Sequence, residues 1–116
     1  MAKNIEITKP MIIEVNGETY TLEFNRNSVI SAERAGFNPE KVTEMPMTMI
    51  PLLFFAAFKM HHPKITKEKT DAILFDELGG LNAEEAQKLV SLYAAPTNSL
   101  FRSADEGERK NAKISL

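Results

Sequence analysis

The most apolar stretch of the chain, residues 45–62, limits what the rest of it can fold into. Its sequence is MPMTMIPLLFFAAFKMHH. Ile50, Phe54 and Ala57 recur at the spacing of one helical face, and other leucine, phenylalanine and alanine residues occupy the remaining faces. A helix that is apolar nearly all round must be surrounded by other elements. The sequence therefore predicts a central helix over residues 45–62 that is the least exposed part of the fold.

This helix is too short an apolar run for a membrane span. A span needs about 18 or more apolar residues, whereas the uninterrupted run, residues 49–58, is roughly half that length and is entered through Pro46 and Pro51. The first interpretation is a core helix. In the alternative, one of its faces is covered only when a partner or a second copy of the chain binds, because 116 residues provide few elements to bury it.

The composition of the chain limits which kinds of partner and which cellular compartment we expect for it. The 116 residues are enough for one domain with its own core. Lys and Arg (14) nearly balance Asp and Glu (16), so no broad basic surface is available for nucleic acid. The absence of cysteine excludes disulfides and thiolate metal sites, and the N-terminus lacks the pattern of a secretory signal. We therefore expect a cytoplasmic protein that binds neither nucleic acid nor membrane.

A β-hairpin is predicted for residues 12–24, where two alternating runs meet at Asn16-Gly17. Asn-Gly is the pair best able to adopt the positive φ angles of a type I′ turn. If these two residues form the loop, Val15 pairs with Glu18 and Ile13 with Tyr20. The apolar face of the hairpin then consists of Met11, Ile13, Val15, Tyr20, Leu22 and Phe24. Because a lone hairpin is only marginally stable, this face must pack on helices, or another strand must extend the edge.

Capping residues and glycines mark the helices between the hairpin and the central helix. Asn25 or Asn27 caps a helix over residues 28–35, which Gly36 ends. A helical turn is predicted for residues 39–44, because an Asn-Pro pair precedes it.

The central helix and the one after it have clear boundaries. Pro46 begins the central helix, Pro51 kinks it, and His62 ends it because the following proline disfavours the α region. Thr66 then caps a helix over residues 67–78, which two glycines end.

Asn82 caps a last helix, which Pro96 ends. Its amphipathic stripe consists of Ala86, Leu89, Val90 and Tyr93. Residues 102–116 form a charged tail that we expect to be disordered. The predicted fold class is α+β, with an N-terminal β-hairpin packed on a mainly α-helical domain of four to five helices. This single domain covers residues 1–101.

No constellation of catalytic or metal-binding residues is recognisable. His61 and His62 are adjacent, so their side chains point about 100° apart on a helix and cannot chelate as an i, i+4 pair does. Near a helix C-terminus they favour a structural role. The serines lack a nucleophile elbow, and the acidic residues are scattered. We therefore expect no enzyme activity, no catalytic residue, no cofactor and no metal.

Three stretches of the sequence resemble a known family. They are VNGETYTLEF, the segment from Glu33 to Phe37, and the stretch from Pro46 to His62 with its His-His end. Together with the order of elements over residues 12–101, they resemble the small tail assembly chaperones encoded by phages and prophages of Gram-positive bacteria. These are similarity motifs and not catalytic signatures.

The resemblance implies a factor that binds the long, apolar tape measure protein and keeps it soluble and extended. It also implies that the tail tube protein displaces the factor as it polymerises. Such a protein is located in the host bacterial cytoplasm and is absent from the mature virion. The tail, residues 102–116, lies outside the resemblance, so it leaves open whether a frameshifted longer form exists.

A holdase of this kind needs exposed apolar side chains to bind a helical client in a groove. The groove could be formed by the central helix or by the last two helices. The candidate partner-binding residues are Met45, Met47, Met49, Leu52, Phe55, Leu92, Leu100 and Phe101.

A structural tail component, such as a connector or a tube-terminating protein, is the alternative function. In that case the hairpin edge would add to a ring of identical strands, so a homo-oligomer is left open.

Overall fold

A computed structural model describes residues 9–100 and 114–116 of the chain. It has an α+β fold in which a two-stranded antiparallel hairpin precedes four α-helices and one short 3₁₀ helix, as predicted. The strands are β1 (Met11–Val15) and β2 (Glu18–Leu22). The tail predicted to be disordered, residues 102–116, lies outside the described residues except for its last three, which are exposed.

The hairpin has the predicted turn, register and inner face. Asn16 and Gly17 have φ angles of 51° and 85°, as a type I′ turn requires. Val15 pairs with Glu18 and Ile13 pairs with Tyr20. The inner-face side chains are buried except for Met11, which is half-buried.

Helix α1 (Arg26–Arg34) begins at an asparagine cap and ends at a glycine. The Asn25 side chain accepts a hydrogen bond from the Ser28 N–H, so Asn25 and not Asn27 is the cap. Gly36 has a φ angle of 106°, which lets the chain reverse. The Phe37 N–H then donates to the Ala32 carbonyl, and the Phe37 side chain is buried.

The central helix α2 (Pro46–Phe58) follows a 3₁₀ helix, Pro39–Lys41, that Asn38 caps. Leu53, Phe54 and Phe58 have no exposed surface, and α2 contacts α1, β2 and the two later helices. The prediction is wrong at both ends of the 45–62 stretch, where the side chains reach the surface. Those exposed residues include Met45, Met47, Met60 and His61.

The end of α2 also differs from the prediction. The helix stops at Phe58, four residues before His62, because the Lys59 N–H bonds to the Ala56 carbonyl in a tightened last turn. Pro51 lies inside the helix, as predicted.

Helix α3 (Lys67–Ala72) is capped by Thr66 and continues as a π-helical turn, Ile73–Glu77. Helix α4 (Ala83–Asn98) is capped by Asn82, whose side chain accepts from the Glu85 N–H. Two glycines with positive φ angles separate the two helices. The prediction that Pro96 ends α4 is wrong by two residues. Proline removes only one hydrogen bond in the last turn, and the Ser99 N–H still donates to the Ala95 carbonyl.

The core lies where the hairpin, α1 and α4 meet α2. Tyr93 makes edge-to-face contacts with Phe24 and Phe37, and Tyr20 makes one with Phe58. Over the described ranges, none of the helices has both the length and the apolar character needed to cross a bilayer.

Candidate functional site

An apolar groove lies between α1 and α2. It has a volume of about 280 Å³, and its floor contains Leu52 and Phe55, which are both half-buried. The α1 wall consists of Ser31, Ala32 and Ala35. Because these α1 side chains are small, they leave space beside the larger α2 side chains. The groove could therefore receive apolar side chains from another molecule.

Two lysines stand at the rim of this groove. The Lys59 Nζ lies 4.7 Å from the centroid of the Phe55 ring, a cation–π contact that holds the ammonium beside the groove. Lys67 also lines the groove, and its Nζ lies 2.9 Å from Asp71 Oδ2. A partner with an apolar stripe and an acidic residue next to it suits this arrangement.

A second groove lies on the other side of α1, against the end of α4. It has a volume of about 590 Å³ and contains Val29, Ile30 and Leu100, with Arg26 and Glu33 among its lining residues. It is wider and more polar than the first groove.

The predicted partner-binding residues do not form one surface. Leu52 and Phe55 share the α1/α2 groove, whereas Leu100, which is 74% exposed, lines the α1/α4 groove. Met45 and Met47 are exposed at the start of α2.

Three of the predicted residues cannot be placed on a described surface. The predictions for Met49 and Leu92 are wrong, because these side chains are 5% and 2% exposed and belong to the core. Met49 lies on the inward side of α2, and Leu92 lies beside Leu89 on the buried side of α4. Phe101 lies outside the described residues.

The small α1 residues and the two lysines that line the α1/α2 groove were not identified from the sequence. Ser31 and Ala35 are four residues apart, a spacing that puts two small side chains on one helical face. Lys59 is four residues after Phe55, so its position was readable from the sequence in the same way. Lys67 follows the loop after α2, and only the tertiary structure brings it to the groove.

The two histidines join the region after α2 to strand β2. His61 Nε2 lies 2.8 Å from Glu23 Oε1, and His62 Nε2 accepts a hydrogen bond of 3.0 Å from the Thr21 N–H. Both contacts attach the segment after α2 to the hairpin. The two histidines therefore have a structural role, but their side chains bind the hairpin and not the C-terminus of the helix.

The pKa values of the two tyrosines are both raised. The hydrogen bond from Tyr20 to Glu18, together with burial and the charge of Glu18, raises the pKa of Tyr20. Burial and the charge of Glu33 raise the pKa of Tyr93. A raised pKa keeps both phenols neutral near pH 7. In the described part of the chain, no group of three acidic or histidine side chains could hold a metal ion.

Comparison with known proteins identifies the family of this chain. No curated protein and no solved structure matches the sequence. A family described as Domain of unknown function (DUF5055) matches residues 1–116. Because the match extends over the full length of the given sequence, the chain belongs to the DUF5055 family.

Proposed function

We propose that this protein is a phage tail assembly chaperone that binds the tape measure protein and keeps it soluble. The observation that carries the proposal is the α1/α2 groove, which presents Leu52 and Phe55 beside a wall of small α1 residues. The sequence resemblance described above supplies the identity of the client. The proposal does not need a catalytic site, since holding an apolar helix requires only a complementary surface.

The groove is large enough for a few side chains of a helical client. Each large apolar side chain that moves from water into such a contact contributes about 1.5 to 3 kcal/mol, before the cost of association is subtracted. Contact with two or three side chains therefore gives weak binding at a single groove. An extended client that engages many copies would be held by the sum of these contacts, and a polymerising tube could release them one at a time.

The lysine rim gives the groove a preference among apolar helices. Lys59 would favour a client segment that carries Asp or Glu next to its apolar stripe, whereas Lys67 is already paired with Asp71. Met45 lies two helical turns before Leu52 and is 43% exposed, so it can lengthen the apolar contact along α2.

The remaining parts of the proposal follow from this role. The protein acts in the host bacterial cytoplasm, where tails assemble, and leaves before the virion is complete. Its second partner is the tail tube protein, which takes its place on the tape measure protein.

A structural tail component is the second candidate, because no described residue pairs with the outer edge of strand β1, to which another strand could add. A closed ring of identical strands would also need an open edge on β2. That edge is covered from Thr21 onward, because His62 accepts from the Thr21 N–H and the Ala57 carbonyl accepts from the Glu23 N–H just after the strand. Mass spectrometry of purified phage particles separates the two functions, since a component is present and a chaperone is absent.

Co-expression with the tape measure protein tests the groove. Phe55→Asp puts a carboxylate into the α1/α2 groove and should leave the client insoluble. Phe75→Asp is the matched control, because Phe75 is 45% exposed and does not line the groove. It should keep the client soluble. Both variants are first compared with the wild type by thermal unfolding.

Two results would contradict the chaperone function. The first is a client that is equally soluble without this protein. The second is equal loss of client solubility for Phe55→Asp and Phe75→Asp when both are folded. Client binding should also persist at high salt, because screening weakens charge interactions and hardly affects buried hydrocarbon.

A further inference from the structure

The outer edges of β1 and β2 differ in their hydrogen-bond partners. On β2, the Thr21 N–H donates to His62 Nε2 at 3.0 Å, and just after the strand the Glu23 N–H donates to the Ala57 carbonyl at 3.0 Å. The segment around the end of α2 therefore covers the outer edge of β2 from Thr21 onward, and only the part beside Thr19 is left for another strand.

Among the described residues, none covers the outer edge of β1. In an antiparallel ladder, alternate residues direct their backbone groups away from the partner strand. Because Val15 and Glu18 flank the two-residue turn as a bonded pair, the outward-directed residues of β1 are Ile12 and Glu14. Within residues 9–100, nothing hydrogen-bonds to the N–H groups of Ile12 and Glu14.

Glu14 is the one charged residue of β1, so the sequence of the strand gives this edge little protection. Natural edge strands commonly carry lysine, proline or a bulge that blocks pairing with another chain. Strand β1 is MIIEV, it pairs without a bulge, and its Ile12 side chain is 60% exposed. A groove of about 250 Å³ that contains Leu78 and Leu81 lies along the same strand.

We propose that β1 pairs with β1 of a second copy, antiparallel about a two-fold axis at Ile13, to form a four-stranded sheet. In this register Ile12 of one copy is opposite Glu14 of the other, and Ile13 is opposite its own equivalent. All outward N–H and C=O groups of the two β1 strands are then bonded. The five residues of one strand cover the five residues of the other without using Pro10 or the turn.

Charge and proline disfavour the neighbouring registers. An axis at Glu14 would place the two Glu14 carboxylates directly opposite each other, which is destabilising. An axis at Ile12 would place Glu14 opposite Pro10, which has no N–H to donate. The axis at Ile13 is free of both defects, so the edge is self-complementary.

The partly covered β2 edge favours two-fold pairing of two copies through β1 over head-to-tail addition of copies. Head-to-tail addition requires β1 of one copy to pair with β2 of another, and such contacts propagate into rings or fibres. Because β2 is covered from Thr21 onward, head-to-tail pairing could use only its turn end, whereas β1-to-β1 pairing uses the whole strand and closes after two copies.

This inference does not depend on the proposed chaperone function. The β1 edge and the α1/α2 groove have no lining residue in common, so one can fail while the other stands. If both hold, each dimer carries two grooves and can bind one extended client at two points.

Two proline variants of the full-length protein test the dimer by sedimentation over a range of concentrations. Glu14→Pro removes an outward N–H from β1 but no bond of the β1–β2 ladder. Thr19→Pro is the matched control, because Thr19 is directly opposite Glu14 and its N–H points away from β1. We expect Glu14→Pro to weaken dimerisation about tenfold or more, since two hydrogen bonds are lost per dimer, and Thr19→Pro to have little effect. Glu14→Gln keeps the N–H and should dimerise at least as well as the wild type.

Cysteine pairs test the register, because the chain has no cysteine of its own. A mixture of Ile12→Cys and Glu14→Cys proteins should form a disulfide-linked heterodimer. Glu14→Cys alone should crosslink poorly, since residues two positions out of register are about 7 to 8 Å apart, beyond the usual span of a disulfide. Efficient crosslinking of Glu14→Cys alone would overturn the register.

A wild-type protein that remains monomeric at millimolar concentration would overturn the dimer. So would a dimer that Glu14→Pro and Thr19→Pro affect equally. If the full-length protein is monomeric and dimerises only after removal of residues 1–8, then the chain's own N-terminal segment holds the β1 edge, and the proposal is wrong.

Discussion

Phe54 shows what a single core side chain contributes. It has no exposed surface and makes an edge-to-face contact with Phe58 at a centroid distance of 5.1 Å. We expect Phe54→Ala to lower the free energy of unfolding by about 3 to 5 kcal/mol, because it removes buried hydrocarbon and leaves a cavity. Phe75→Ala, at a residue that is 45% exposed, should cost about 1 kcal/mol or less. Similar losses in denaturant unfolding for the two variants would contradict the placement of Phe54 in the core.

The pKa of Tyr93 provides a pH-dependent prediction at the same scale. Burial raises the pKa of the folded-state phenol above its ordinary value near 10. The stability that the neutral phenol contributes is therefore fully present below about pH 10 and is lost as the pH rises through the folded-state pKa. Tyr93→Phe keeps the ring that contacts Phe24 and Phe37 but cannot ionise. Its free energy of unfolding should decline less steeply above pH 10 than that of the wild type.

At the scale of an element, two asparagine variants test which residue caps helix α1. The sequence left Asn25 and Asn27 as alternative caps, and the structure assigns the cap to Asn25 through its bond with the Ser28 N–H at 2.8 Å. We expect Asn25→Ala to cost about 0.5 to 2 kcal/mol of stability. Asn27→Ala, at an exposed position within the first turn, should change stability by about 0.5 kcal/mol or less. The opposite order of the two melting temperatures would show that the helix begins later.

At the scale of the whole molecule, the charged tail should be dispensable for folding. Residues 102–116 offer few apolar groups to bury. We expect a protein that ends at Phe101 to have nearly the same denaturant midpoint and slope as the full chain. A clear drop in the midpoint would show that the tail packs on the domain and that the single-domain boundary at residue 101 is wrong.

Much of the fold was predictable from short stretches of sequence. The Asn16-Gly17 turn, the hairpin register and the caps at Thr66 and Asn82 depend on residues only a few positions apart. Interactions at such short range are determined by backbone preferences and nearby side chains. For the same reason, the α+β class and the order of the elements followed from the sequence.

The candidate site was only partly predictable, because α2 is apolar on most of its circumference. A pattern of this kind does not indicate which face stays open. Leu52 and Phe55 remain at a groove because the facing side of α1 is small, whereas Met49 is buried. The exposure of Leu52 and Phe55 therefore depends on where α1 packs.

The sequence by itself determined the local structure of this protein: its turn, its caps, its strand pairing and the apolar character of its central helix. Only the tertiary structure decided which apolar side chains reach the surface and which sheet edge is open. His62 occupies the β2 edge from a position 41 residues away from Thr21 in the sequence. Contacts over such separations form only when several elements pack together, so no local pattern encodes them.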